Sequence, residues 1–347
     1  MPHGNKKIGP TGSSGQKLKV GVVGIGYLGK FHVEKYAAIP EVEIVGLVDR
    51  VPARAKEWAE KLGTRAFSDY HELLGAVDAV SVVVPTDQHH PVARDFLQSG
   101  SDVLLEKPIS PTLEEAADLI ATAQKYGRIL QVGHLERFNP AILAIREKIR
   151  TPLFIESHRL TPFRGRGTEV DVVLDLMIHD LDIILSVVRS NVEHMHAVGV
   201  PVLTEKVDIA NARIHFAGGC VANVTASRIS VEDQRRIRIF QPDTYLTVDY
   251  AVQKAALFHR VPIPGSPKVE IISEQVKVEP ADVLEREVRS FIRSSTDRTT
   301  PMVTGEDGKR ALAVALDIHE QIQANIKKIP SITSFYEMRE DLLDASG

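Results

Sequence analysis

The chain has 347 residues, 43% of them hydrophobic and 25% charged, a length that suits two domains each with its own core. Lys+Arg 42 against Asp+Glu 46 leaves a formal net charge of −4, which gives no electrostatic reason to bind nucleic acid or a membrane surface, and no apolar run has the length of a membrane span. The lone Cys220 excludes an intrachain disulfide and fits a reducing cytoplasm; behind Gly218 and Gly219 it reads as a packed small residue rather than a nucleophile.

Residues 1–16, rich in Gly, Ser, Lys and Pro, read as a disordered tail. From Lys17 to 135, short apolar runs (LKVGVVGIG, VEIVGLVDR, AVSVVVP, DVLLEKP, RILQVGH) alternate with amphipathic helical segments. That alternation predicts a doubly wound parallel sheet, a Rossmann domain, with helices on both faces. Gly63, Gly100 and Gly127 each follow a helical run where a left-handed cap is wanted, and Thr112 with Glu115 has the spacing of a capping box. Residues 136–330 differ in texture. Asn139-Pro140 predicts a capped helix, followed by a strand (LFIESHRL), a Gly/Arg loop and a helix over VVLDLMIHDLDIILSVV. The β-rich runs between 194 and 276 predict one large, mostly antiparallel open sheet, so that this region is an α/β domain. Two helices follow, near 281–294 and 306–327, and 331–347 reads as a C-terminal extension.

Gly24, Gly26 and Gly29 form G-x-G-x-x-G between a predicted strand and helix. They suit a tight turn, a close approach of backbone to pyrophosphate, and helix–strand packing. Asp49 ends the second strand 20 residues beyond Gly29, where a carboxylate can accept hydrogen bonds from ribose hydroxyls and repel a 2′-phosphate. NAD is the expected cofactor; the adjacent Arg50 leaves NADP as the lesser alternative.

Lys107 follows the fifth strand, at the carboxyl edge that borders the ligand crevice, where an ammonium can stabilise developing alkoxide charge. Asp175 and His179 lie one helical turn apart, with Asp182 near the same face. An imidazole there suits removal of a hydroxyl proton, and a carboxylate can orient the substrate. The same stripe would also suit a solvated helix face. No further histidine or carboxylate has the spacing to complete a metal site, so no metal is expected. His194 and His196, alternating on a strand, read as ordinary strand residues.

The chain resembles the Gfo/Idh/MocA oxidoreductase family from Lys17 to about Ile329. The marks are the run Gly24 to Gly29, Glu106-Lys107-Pro108, Asp175 with His179, and Thr304-Gly305-Glu306-Asp307-Gly308. The resemblance implies a Rossmann domain and a second domain built on an open sheet, catalysis by Lys107, Asp175 and His179 with His179 as base, and self-association through that sheet as a homodimer or homotetramer. It also implies cofactor contacts from Tyr27, Leu28 and Glu106. Residues 83–89 are similar to a cofactor-contacting segment of the family, departing at Val84 where threonine is usual, so that Pro85, Thr86 and His89 carry over. Two stretches, 132–140 and 172–180, resemble the branch that acts on UDP-linked N-acetylated sugars. This implies oxidation of a ring hydroxyl, at C3 of a UDP-N-acetylated hexosamine such as UDP-N-acetylglucosamine. A UDP-sugar brings a pyrophosphate that guanidinium groups recognise, for which Arg137, Arg159, Arg164 and Arg166 are the candidates. The alternatives are a dehydrogenase of a free polyol or sugar, an NAD-dependent glycosidase, and a non-catalytic NAD-binding sensor.

Overall fold

The computed structural model describes residues 17–165, 168–265 and 268–328; the tail 1–16, Arg166 and the extension 331–347 lie outside them. The first region forms β1 (Leu18–Val23), α1 (Gly29–Ala37), β2 (Val42–Val48), α2 (Pro52–Leu62), β3 (Arg65–Phe67), β4 (Ala79–Val82), α3 (His89–Gln98), β5 (Asp102–Glu106), α4 (Leu113–Tyr126) and β6 (Leu130–Gly133). The six strands make a parallel sheet in the order β3-β2-β1-β4-β5-β6. Its central strands are buried on both sides, hence their largely apolar, Val- and Leu-rich character. The order reverses between β1 and β4, which opens the crevice at their carboxyl ends. Helix punctuation follows the residues: Pro52 opens α2, Thr112 accepts from the Glu115 N–H at the start of α4, and Gly63 and Gly127 close α2 and α4 in the left-handed conformation.

The chain continues through α5 (Pro140–Ile145), capped by Asn139, and β7 (Phe154–Leu160) to a π-helical turn over Val173–Met177 that runs into α6 (Ile178–Val187). Seven further strands follow: β8 (Val192–Val200), β9 (Ile209–Phe216), β10 (Val221–Ser227), β11 (Gln234–Phe240), β12 (Thr244–Asp249), β13 (Lys254–Pro262) and β14 (Val269–Val276). With β7 they form an eight-stranded sheet in the order β14-β13-β12-β11-β7-β10-β9-β8, antiparallel except for the β7–β10 pair. Buried inward-facing residues of β9 to β12 alternate with less buried ones and pack on α6 and α8 (Gly305–Ile326). Cys220 lies in that core, where burial pushes its thiol up to about 11; it is a packing residue.

Although α7 (Val283–Asp297) follows the second sheet in the chain, its Val288, Phe291 and Ile292 pack with β1 and α1 against the first. Thr304 opens α8 with a reciprocal capping box to Asp307 and bridges to Gln131 of β6. The two sheets are therefore tied together by both closing helices. Among the described residues no helix is long and apolar enough to cross a membrane.

Candidate active site

The loop from β1 to α1 is built on close approaches. Gly24 has φ +92°, and a Cβ there would stand 2.1 Å from the Val83 carbonyl oxygen; at Gly29 it would stand 1.7 Å from the Gly24 carbonyl oxygen. These two positions let the helix start directly on the loop. Gly26 is different: no atom lies within 4 Å of a Cβ built on it. The space above its backbone is open, and no side chain caps the N-terminus of α1, so the cradle accepts a diphosphate. Asp49, 7% exposed, accepts from the Ile25 N–H at 2.7 Å and the Val51 N–H at 2.8 Å. Its carboxylate is thus fixed at the wall of a cavity of about 520 Å³ lined also by Gly24, Gly26, Arg50, Arg54 and Pro85. The donor set and the open cradle fit a dinucleotide. Tyr27 and Leu28 stand exposed beside the loop. Thr86 begins a short 3₁₀ turn outside that wall, and His89 is buried beneath it. The His89 ring nitrogens face the carbonyls of Val84 at 2.9 Å and Pro108 at 2.8 Å, which ties the cofactor-side loop to the segment after Lys107.

Glu106 and Lys107 leave the end of β5 toward the crevice. Glu106 meets His32 Nε2 at 3.1 Å; His32 Nδ1 meets Ser81 Oγ at 3.1 Å, and Ser81 meets the Tyr36 hydroxyl at 2.7 Å. Burial pushes the Glu106 carboxyl up, but the bond and charge of His32, aided by Lys107, outweigh it and hold the group below its ordinary value. Lys107, 15% exposed at its side chain, donates to the Asp175 carbonyl at 2.7 Å and to Asp175 Oδ1 at 3.2 Å. An ammonium has three N–H bonds, so one remains for a substrate oxygen. Asp175 sits in the π-turn, not in the regular helix that the apolar period predicts; such wide turns re-aim backbone and side chain at functional sites. His179 follows in the first turn of α6, with Nδ1 buried and unpartnered. Burial, then the charges of Lys107, Arg159, His134 and Arg235, hold its pKa well below the usual imidazole value. The structure thus brings Lys107, Asp175 and His179 together.

The sequence-based candidates for pyrophosphate binding divide. Arg159 is buried, with Nε on Asp180 at 2.6 Å and Nη1 on Glu136 at 3.0 Å, its guanidinium over the Tyr250 ring; it borders His179 but is engaged in this network. Arg137 faces Asp182, Asp307 and a separate cavity that none of the three catalytic candidates lines. Arg164 is exposed and bonded to Asp233 at 2.9 Å, and Arg166 lies outside the described residues. Three neighbours of the site were not singled out from sequence. His134 stands edge-on to His179 with ring centroids 6.4 Å apart; both its nitrogens are buried without partners, and burial with the charges of Lys107 and Arg137 pushes its pKa down to about 3. Tyr250 holds a buried, unpartnered hydroxyl, and Arg235 has its Nε 3.7 Å from Asp233 Oδ1. Only His134 carried a signal, as a polar residue just after a strand on the crevice edge.

The family model for the oxidoreductase family with an NAD-binding Rossmann fold matches residues 18–134, and that for the GFO/IDH/MocA C-terminal domain matches 150–243. The chain belongs to the Gfo/Idh/MocA oxidoreductase family. It is 38% identical over 314 residues to a UDP-N-acetylglucosamine 3-dehydrogenase of Acidithiobacillus ferrooxidans, covering 90% of this chain and 99% of that protein. The crystal structure of that enzyme superposes with a TM-score of 0.83 over 89% of this chain and 99% of that one. A myo-inositol 2-dehydrogenase of Thermotoga maritima is 27% identical over 315 residues, covering 85% of this chain and 93% of that protein. As a member of the Gfo/Idh/MocA family the chain is a dehydrogenase whose first sheet binds NAD.

Proposed function

We propose that the protein oxidises the C3 hydroxyl of a UDP-N-acetylated hexosamine such as UDP-N-acetylglucosamine to a ketone. The observation that carries the chemistry is the double contact of Lys107 with Asp175 beside an unpartnered His179. The Gly26 cradle and Asp49 would hold NAD, which would supply the hydride acceptor. His179 enters the reaction neutral, because burial and surrounding cations disfavour its charged form, and takes the hydroxyl proton. The remaining N–H of Lys107 donates to the oxygen on which negative charge develops. Asp175 holds the ammonium in place and orients the hydroxyl. Loss of the hydroxyl proton to His179 leaves the C3 hydride for the acceptor that NAD would supply, so the two-electron oxidation balances.

The substrate assignment draws support from the 38% identity with an enzyme named for UDP-N-acetylglucosamine, matched over 99% of its length. The half-exposed Arg235, whose charge bears on His179, supplies a guanidinium group near the site for the pyrophosphate. The free-polyol alternative is favoured by the inositol dehydrogenase relative. A panel of UDP-N-acetylglucosamine, UDP-glucose, myo-inositol and glucose, followed by NADH formation, decides between them. The proposal requires turnover of the acetylated nucleotide sugar; preference for a free polyol overturns it. The two edge strands of the second sheet expose apolar residues, Val198 and Val200 on β8 and Val269 and Ile271 on β14, which supports self-association through this sheet as a homodimer or homotetramer. The single buried cysteine supports residence in the cytoplasm.

A further inference from the structure

A second cavity of about 500 Å³ lies between the end of α5, the loop after α6 and the first turns of α8, and none of Lys107, Asp175 or His179 lines it. Arg137, Arg146, Arg189 and Arg310 converge on it from four separate segments, against one acid, Asp307. That acid is already engaged: its Oδ2 accepts from the Thr304 N–H at 2.9 Å and hydroxyl at 2.8 Å. Arg146, Arg189 and Arg310 are exposed, and their side chains have no hydrogen bond or ion pair among the described residues. Arg189 follows the carboxyl end of α6 and suits its dipole, but that accounts for one arginine of the four.

The deciding observation is Arg137. It is 8% exposed, yet of its five N–H bonds only one has an acceptor in reach, the Met302 carbonyl at 3.3 Å from Nη2. The nearest carboxylates, Asp307 at 3.6 Å and Asp182 at 3.8 Å, are beyond hydrogen-bond distance, and Nη1 is buried with no partner. A buried guanidinium left this poorly satisfied is costly unless an anion completes it.

We infer that this cavity is an anion site for a phosphate dianion, carried either by free phosphate or by a phosphate monoester. Planar guanidinium groups match phosphate oxygens in pairs; Arg137 stands in the cavity wall while Arg146, Arg189 and Arg310 line it from the exposed side. The ligand is distinct from the cofactor, whose cradle is at Gly26, and from the nucleotide sugar, which must reach His179.

The test is thermal unfolding with saturating NAD and no sugar substrate, titrated with inorganic phosphate, with glucose 6-phosphate, and with chloride at matched ionic strength. Saturating NAD fills the other phosphate-binding loop. Phosphate or its monoester should raise Tm saturably while chloride does not, and the tighter of the two identifies the source. Arg310→Glu and, separately, Arg189→Glu should weaken that binding by about tenfold or more. Both side chains are exposed, so folding and basal turnover should persist in each. A Tm response of the same midpoint in both variants as in the native chain, or one that chloride reproduces, overturns the inference. Neither result bears on turnover of the nucleotide sugar, so the two proposals fail separately.

Discussion

Replacing Gly26 by alanine separates the cofactor cradle from the fold that carries it. The position has negative φ and open space around a built Cβ, so the added methyl meets no protein atom. Gly→Ala at a compatible position stabilises by about 0.4–1 kcal/mol, because the unfolded chain has less freedom to lose. The same methyl stands where a pyrophosphate would approach the backbone and lifts it off the loop. Losing one charged hydrogen bond costs about 1.5–3 kcal/mol, which raises the NAD Kd by roughly 10- to 150-fold. Gly29→Ala is the contrast: its Cβ would stand 1.7 Å from the Gly24 oxygen, so the backbone must move and stability falls by about 1–3 kcal/mol or more. Calorimetric titration with NADH, beside thermal unfolding, reads both effects. An unchanged Kd in a stable Gly26→Ala protein would refute the placement of the diphosphate over this loop.

Lys107→Ala should lower kcat by about 100- to 1,000-fold with NAD affinity kept, measured by NADH formation and by titration; full activity would remove the lysine from the mechanism. Because burial and neighbouring cations hold His179 below its ordinary 6.5, the acid limb of kcat/KM should lie below that pH, and a limb at or above it contradicts a neutral buried base. Glu287 is fully buried with both oxygens unpartnered, and burial with the nearby Glu106 charge holds its pKa well above 4.5. The folded state then retains a proton that the unfolded chain has lost, so stability falls as pH rises above 4.5, by about 1.4 kcal/mol per pH unit until the folded pKa is reached. Glu287→Gln removes that slope, and its Tm advantage over the native protein should grow from pH 5 to 7.

The features readable from the sequence were those whose geometry is local. The glycine loop and Asp49 are separated by one strand and one helix, and residue type at each position already states the backbone requirement. The first sheet declared itself through doubly buried apolar runs, the second through alternation. Features set by tertiary contact were out of reach. The apolar period runs unbroken through 172–188, so nothing marks the π-turn that re-aims Asp175. Arg159 reads as a free guanidinium until Asp180 and Glu136, 21 and 23 residues away, are seen against it. Arg137 likewise reads as a substrate ligand, while the fold turns it to a different cavity. The packing of α7 on the first sheet depends on Val288, Phe291 and Ile292, whose amphipathic spacing says that a face is buried but not against what.

The most direct measurement uses UDP-N-acetylglucosamine deuterated at C3 with unlabelled NAD, followed by mass spectrometry of the reduced cofactor. Transfer of the label into NADH, with slowed turnover and with both lost in Lys107→Ala, is the expected result. Reduced cofactor without label, or label that never leaves the sugar, would contradict hydride removal from C3 at this site.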